Sequence, residues 1–159
     1  MSTAALEDVN PLREPPPVST DTDLPRSSGD SEEPDRPVLQ RISNEIVRVF
    51  KEQFGRGPTK ARTEWAGRDV LVVILEDTLT PAERNLADMG EHERLRETRM
   101  FFQHATLPEL CEPIERLTGR KVRAFTSGID TEVGGLSIET FVLHPEGSGA
   151  TSRIESGRS

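Results

Sequence analysis

A chain of 159 residues with a formal net charge of −8, one cysteine and no tyrosine cannot form an intrachain disulfide framework, and its acidity opposes the basic footprint of a duplex-DNA reader. No run approaches the roughly 18 to 20 apolar residues of a spanning helix, and the start lacks the basic and apolar regions of a secretory signal. With the lone Cys111, this points to a cytoplasmic protein in a reducing compartment.

The first 37 residues hold seven of the twelve prolines and nine acidic residues against three arginines, with no aromatic residue. Such a segment cannot bury enough apolar surface to offset its ordering entropy. Residues 1–37 are therefore expected to be a disordered acidic tail, and 146–159 a second disordered tail. Between them, 38–145 carries 17 acidic and 15 basic residues, nearly neutral and of usual domain size. Overall acidity thus belongs to the first tail and favours solubility.

Within the domain, Leu39, Ile42, Ile46, Val49 or Phe50, and Phe54 recur at three- and four-residue spacing, which predicts an amphipathic helix stopped at Gly55. After the Gly55-Arg56-Gly57-Pro58 turn, Thr59 to Trp65 alternates, with Ala61, Thr63 and Trp65 on one side. That period predicts a half-exposed strand. A short loop leads into Asp69 to Glu76, apolar on both faces and rich in β-branched residues, and a hairpin is the simplest account of the pair.

Thr80-Pro81-Ala82-Glu83 predicts a capped helix start, since Thr80 can cap the free amides, Pro81 suits the first helical position and Glu83 can complete a capping box. The helix is expected to pause near Met89-Gly90 and restart with Leu95, Phe101 or Phe102, and Ala105 inward, and with Glu91, Glu93, Arg94, Arg96 and Arg99 solvated. Pro108 and Pro113 are expected to divide the next stretch, because each removes a helical amide. A stop at Thr118-Gly119 precedes two more alternating runs, Lys121 to Thr126 and Ser137 to Leu143, joined by a turn over Gly128 to Gly135. The expected fold is α+β: a two-layer sandwich of order α-β-β-α-β-β, with helices on one face of a four-stranded, mostly antiparallel sheet.

FGRGPTKAR, DVLVVILED, LTPAERNLADMG, LTGRKVRAF and FVLHP, in that order, resemble the MpsC-like family of small bacterial proteins. That family is described as part of a Na-translocating membrane-potential-generating system and is otherwise a domain of unknown function. The resemblance covers roughly Val38 to Pro145. Pro108 and Pro113 interrupt a region that looks like continuous helix in the family. The resemblance implies a non-enzymatic accessory or regulatory protein, with a membrane ion-transport component as partner, and brings no catalytic residues with it.

For binding, the Gly55 to Lys60 turn with Arg62 offers backbone amides and cations to a phosphate or another anion. It lacks the Gly-Lys-Ser/Thr ending of a P-loop, and as a helix-to-strand connection it also has an ordinary structural role. Arg56, Gly57, Thr59, Lys60 and Arg62 are the candidate anion- or partner-binding residues, and an RNA- or nucleotide-phosphate-binding module is the alternative function. Nucleic acid is nevertheless disfavoured as a partner by the charge balance and by the absence of an RNP-type run around Trp65 and Phe125. His92, His104 and His144 are scattered, and Pro108 separates His104 from Cys111, so no metal or thiolate-imidazole site is expected. Glu76, Asp77 and Glu83 read as loop and cap residues in preference to an acid-base set. No nucleophile, base and orienting group can be named together, so neither enzyme activity nor a cofactor is expected. Helices on one face leave the other to water or a partner, so that face and the edge strands are the expected homodimer or partner surface.

Overall fold

A computed structural model describes residues 35–156, and up to residue 34 the expected N-terminal tail lies outside them. The first helix, α1 (Arg36–Phe54), starts two residues before Val38, because Pro37 sits in the first turn, where a missing amide donor costs nothing. Its predicted stripe is buried through Ile42, Ile46, Val49 and Phe50. Gly55 ends it at φ 76°, a left-handed position that glycine takes without strain, and its amide donates to the Lys51 carbonyl at 2.9 Å.

The hairpin forms as expected. Strands β1 (Lys60–Trp65) and β2 (Val70–Glu76) pair antiparallel, with Lys60 opposite Glu76 and Trp65 opposite Leu71. Leu71, Val73 and Leu75 are buried, whereas Val70, Val72 and Ile74 on the other face are only half-buried.

Three helices replace the single divided one: α2 (Pro81–Asp88), α3 (His92–Ala105) and α4 (Leu107–Thr118). The first break falls at Gly90, φ 78°, as the sequence predicts. The second precedes Pro108, which takes the first turn of α4. Pro113, expected to divide the chain again, instead lies inside α4 without ending it. Its ring is buried, and the carbonyl that loses a donor belongs to exposed Glu109, which water can hydrate.

Strands β3 (Val122–Asp130) and β4 (Leu136–Leu143) complete a sheet of order β1-β2-β4-β3, antiparallel throughout. The fold is α+β. The core joins α1 and α4 to the inward face through Ile46, Phe50, Leu110, Ile114, Leu71 and Phe141. Part of the expected C-terminal tail departs from expectation: Arg153–Ser156 forms a one-turn helix, α5. Ser152 is buried and donates its hydroxyl to Glu115, and Ile154 packs on the core.

Candidate functional site

The fold disperses the residues that the sequence singles out for anion binding. Arg56 turns to the end of β2, where it donates to Asp77 Oδ2 at 3.0 Å and to the Leu79 carbonyl. Lys60 lies 3.6 Å from Glu76 and Arg62 lies 3.7 Å from Glu64, both strongly exposed. The Thr59 amide donates to the Glu76 carbonyl at 3.0 Å, closing the hairpin. A side chain on Gly57 would meet Val47 Cγ1 at 3.3 Å, so glycine there lets the turn lie against α1. These five residues do not converge on one point.

A different cluster is assembled at the end of β2. Asp77 holds φ 56° without being glycine, a conformation that aspartate tolerates better than most residues. It is fixed by Arg56 and by Arg84, whose Nη2 donates to Oδ1 at 2.7 Å. The hydrogen bond from Arg56, reinforced by both charges, holds the Asp77 carboxyl below its usual range. Next along the chain, Thr78 donates through its amide and hydroxyl to the Gly135 carbonyl at 3.1 and 2.7 Å. This locks the loop to the β3–β4 turn.

Gly135 is required at that contact. It has φ +80°, and a Cβ would stand 2.6 Å from Leu79 Cγ. Gly135→Ala is therefore expected to cost about 3 kcal/mol, combining left-handed strain with overpacking. A urea midpoint unchanged from the parent would show that the loop is not held in this register.

The capping box of α2 forms as predicted: the Thr80 amide donates to Glu83 Oε2 at 2.8 Å, and the Glu83 amide to Thr80 Oγ1 at 3.3 Å. Glu83 has a second role. Arg99, expected on the solvated side of α3, has 0% of its surface exposed. It bonds both Glu83 oxygens, donates to the Thr78 carbonyl at 2.7 Å and stacks 3.9 Å over the Phe54 ring. Burial pushes the Glu83 carboxyl up, but bonds from Arg99 and the Thr80 amide outweigh it and hold the group below its usual range.

The inward stripe of α3 is thus Leu95, Arg99 and Gln103, while Phe101 and Ala105, counted inward by apolarity, are exposed. Gln103 donates its amide to Glu139 Oε1 at 3.0 Å. Glu139 is completely buried at an inward position of β4. Its burial pushes the carboxyl up to about 7, only partly countered by the Arg99 charge. Arg99 Nη1, Glu139 Oε2 and Ser127 Oγ have no hydrogen-bond partner, an unusual residue of unsatisfied polar atoms. Sequence reasoning missed Arg99 and Glu139. The available signal was a charged residue among the inward positions Ser137, Glu139, Phe141 and Leu143.

Beside the cluster lies a shallow cleft of about 460 Å³, lined by Arg84, Asp88, His92, Thr131 and Glu132 among others. His92 Nδ1 pairs with Thr131 Oγ1 at 2.8 Å. Thr131 is buried, so its hydroxyl orients the imidazole. With Arg84 set among Asp88 and Glu132, the cleft offers no uniform positive field to an extended anion. The other sequence candidates take structural places: Cys111 is buried with its thiol pushed up to about 12, first by burial, and Phe125 packs 5.0 Å from Phe141. Trp65 packs against the core. Among the described residues, no three His, Cys, Asp or Glu side chains are grouped to hold a metal.

Residues 36–144 match the family described as "Na+-translocating membrane potential-generating system (MpsC)". The chain is also 29% identical over 98 residues to the uncharacterized protein YbcI of Bacillus subtilis (strain 168), a match covering 61% of this chain and 78% of that protein. No solved structure matches significantly.

Proposed function

The chain belongs to the MpsC family, and on that basis we propose that it is a non-enzymatic accessory or regulatory protein of a Na-translocating membrane-potential-generating system, acting in the cytoplasm on a membrane component. The observation that carries this reading is the family match over residues 36–144; none of the described helices is long and apolar enough to cross a membrane. In this reading the ion path belongs to the partner. The chemistry of the corner agrees with it: Arg56, Arg84 and Arg99 are each committed to Asp77 or Glu83, an arrangement that stiffens a surface loop more readily than it turns over a substrate. The low thiol acidity of Cys111 suits an inert structural residue.

Crosslinking in intact cells, with identification of the attached proteins, tests the reading. An integral membrane protein should be recovered reproducibly and lost after competition with unlabelled domain. Recovery of no membrane protein would sink it.

A further inference from the structure

The outward face of the sheet has a layout that specifies an occupant. Along the central strands it presents Val70, Val72 and Ile74 from β2, and Ile138, Thr140 and Val142 from β4. Ile138 is 41% exposed. Charge lies along one margin, β1, with Lys60, Arg62 and Glu64, and at one end of the face, with Glu76 of β2. The opposite margin, β3, presents the small residues Ala124, Thr126 and Gly128, and then Asp130. The strand registers place Lys60, Glu76, Leu136 and Asp130 at one end of the face.

We propose that this face is the interface of a homodimer in which a second copy lies sheet to sheet, related by a two-fold axis parallel to the strands. That operation sets β1 of one copy over β3 of the other and β2 over β4. Arg62 then lies above Gly128 and Glu64 above Thr126, and Lys60 meets Asp130 of the other copy, twice per dimer. An axis across the strands at the level of Arg62 would also pair Lys60 with Glu64, but it puts Arg62 on Arg62 and leaves the small residues of β3 facing each other across a gap. Aligned packing of twisted sheets about 10 Å apart is the usual geometry for such layers.

The area is sufficient. Strands of six to nine residues at about 3.3 Å per residue, four of them about 4.8 Å apart, give roughly 480 Å² per copy in projection. With side-chain relief, two such faces bury on the order of 1,200 Å², the lower bound of a specific interface. The apolar centre with a charged margin also matches the division of interfaces into core and rim. An interface at that lower bound is of the weak, transient kind, and its affinity is placed in the micromolar range.

Sedimentation velocity of the full chain over about 1 to 200 µM, which spans that range, tests the proposal. The parent should pass from monomer to dimer, and Ile138→Lys should stay monomeric throughout. Lys60→Asp and Asp130→Lys should each raise the dissociation constant about tenfold, and the double exchange should restore it to within about twofold. Asp130 also accepts the Glu132 amide at 2.9 Å, so a urea midpoint accompanies each variant; if Asp130→Lys does not fold, Lys60→Asp and Ile138→Lys decide. A parent monomeric at every concentration, or a dimer indifferent to Ile138→Lys, would overturn the proposal. With folded variants, a double exchange no tighter than the single ones would overturn it too.

Discussion

Replacing Arg99 by methionine is expected to lower the unfolding free energy by about 3 kcal/mol, the usual cost of removing one partner from a buried ion pair. Methionine can fill much of the volume and keep contact with Phe54, so the loss is chiefly electrostatic. It arises because Glu83 stays largely covered, with 15% of its side chain exposed, after losing the two bonds that offset its burial. The Thr78 carbonyl also loses its donor. Urea unfolding of Arg99→Met, Glu83→Gln and the double variant forms a cycle: the double variant should be clearly less destabilised than the sum of the single ones. Additive losses would mean that the pair does not couple α2 to α3. Glu83 has a depressed folded pKa, so its contribution is present above the unfolded value and lost as pH falls. Arg99→Met should weaken that acid-side loss.

Glu139→Gln should remove a fall in stability on the other side of the pH scale. Glu139 is protonated more readily when folded, its carboxyl pushed from an ordinary 4.5 up to about 7 by burial. Between those values the native state holds more protons than the unfolded one, so stability falls as pH rises and stays reduced above about 7. The integrated effect is about 3 kcal/mol. The substituted amide can still accept from Gln103. The variant should therefore match the parent near pH 4.5 and exceed it by up to that amount at pH 8, in chemical denaturation at both values. Asp77 and Glu83, whose carboxyls are held below their usual range, act in the opposite direction and only in more acid solution. Equal pH slopes for parent and variant would show that Glu139 is not the group responsible.

Both predictions concern a layer that the sequence conceals. Helix α3 buries Leu95, Arg99 and Gln103, a stripe with helical spacing whose second and third members are polar. Apolarity selects Phe101 or Phe102 instead, and those rings are 71% and 41% exposed. Arg99 can be buried only because Glu83, the Thr78 carbonyl and Phe54 surround it. They come from two parts of the chain, the end of α1 and the stretch from Thr78 to Glu83, and both are distant from Arg99 in sequence, so no local pattern announces that they meet. The same holds for Arg56: beside Lys60 and Arg62 it reads as a cationic turn, but its partner Asp77 lies 21 residues away. Pro113 makes the converse case, since a local rule against mid-helix proline yields to the packing that buries its ring.

Period, turn chemistry and bonds between near neighbours were enough to specify the α+β class, the four strands, the hairpin, the Thr80 capping box, the glycine stops and the family, all of them readable along the chain. The sheet order, the burial of Arg99 and Glu139, the pairing of Arg56 with Asp77 and the docking of Ser152 onto Glu115 were settled only by the packed fold. A charge leaves water only when an opposite charge or hydrogen-bonding group is delivered to it. That delivery depends on the packing of elements distant in the chain.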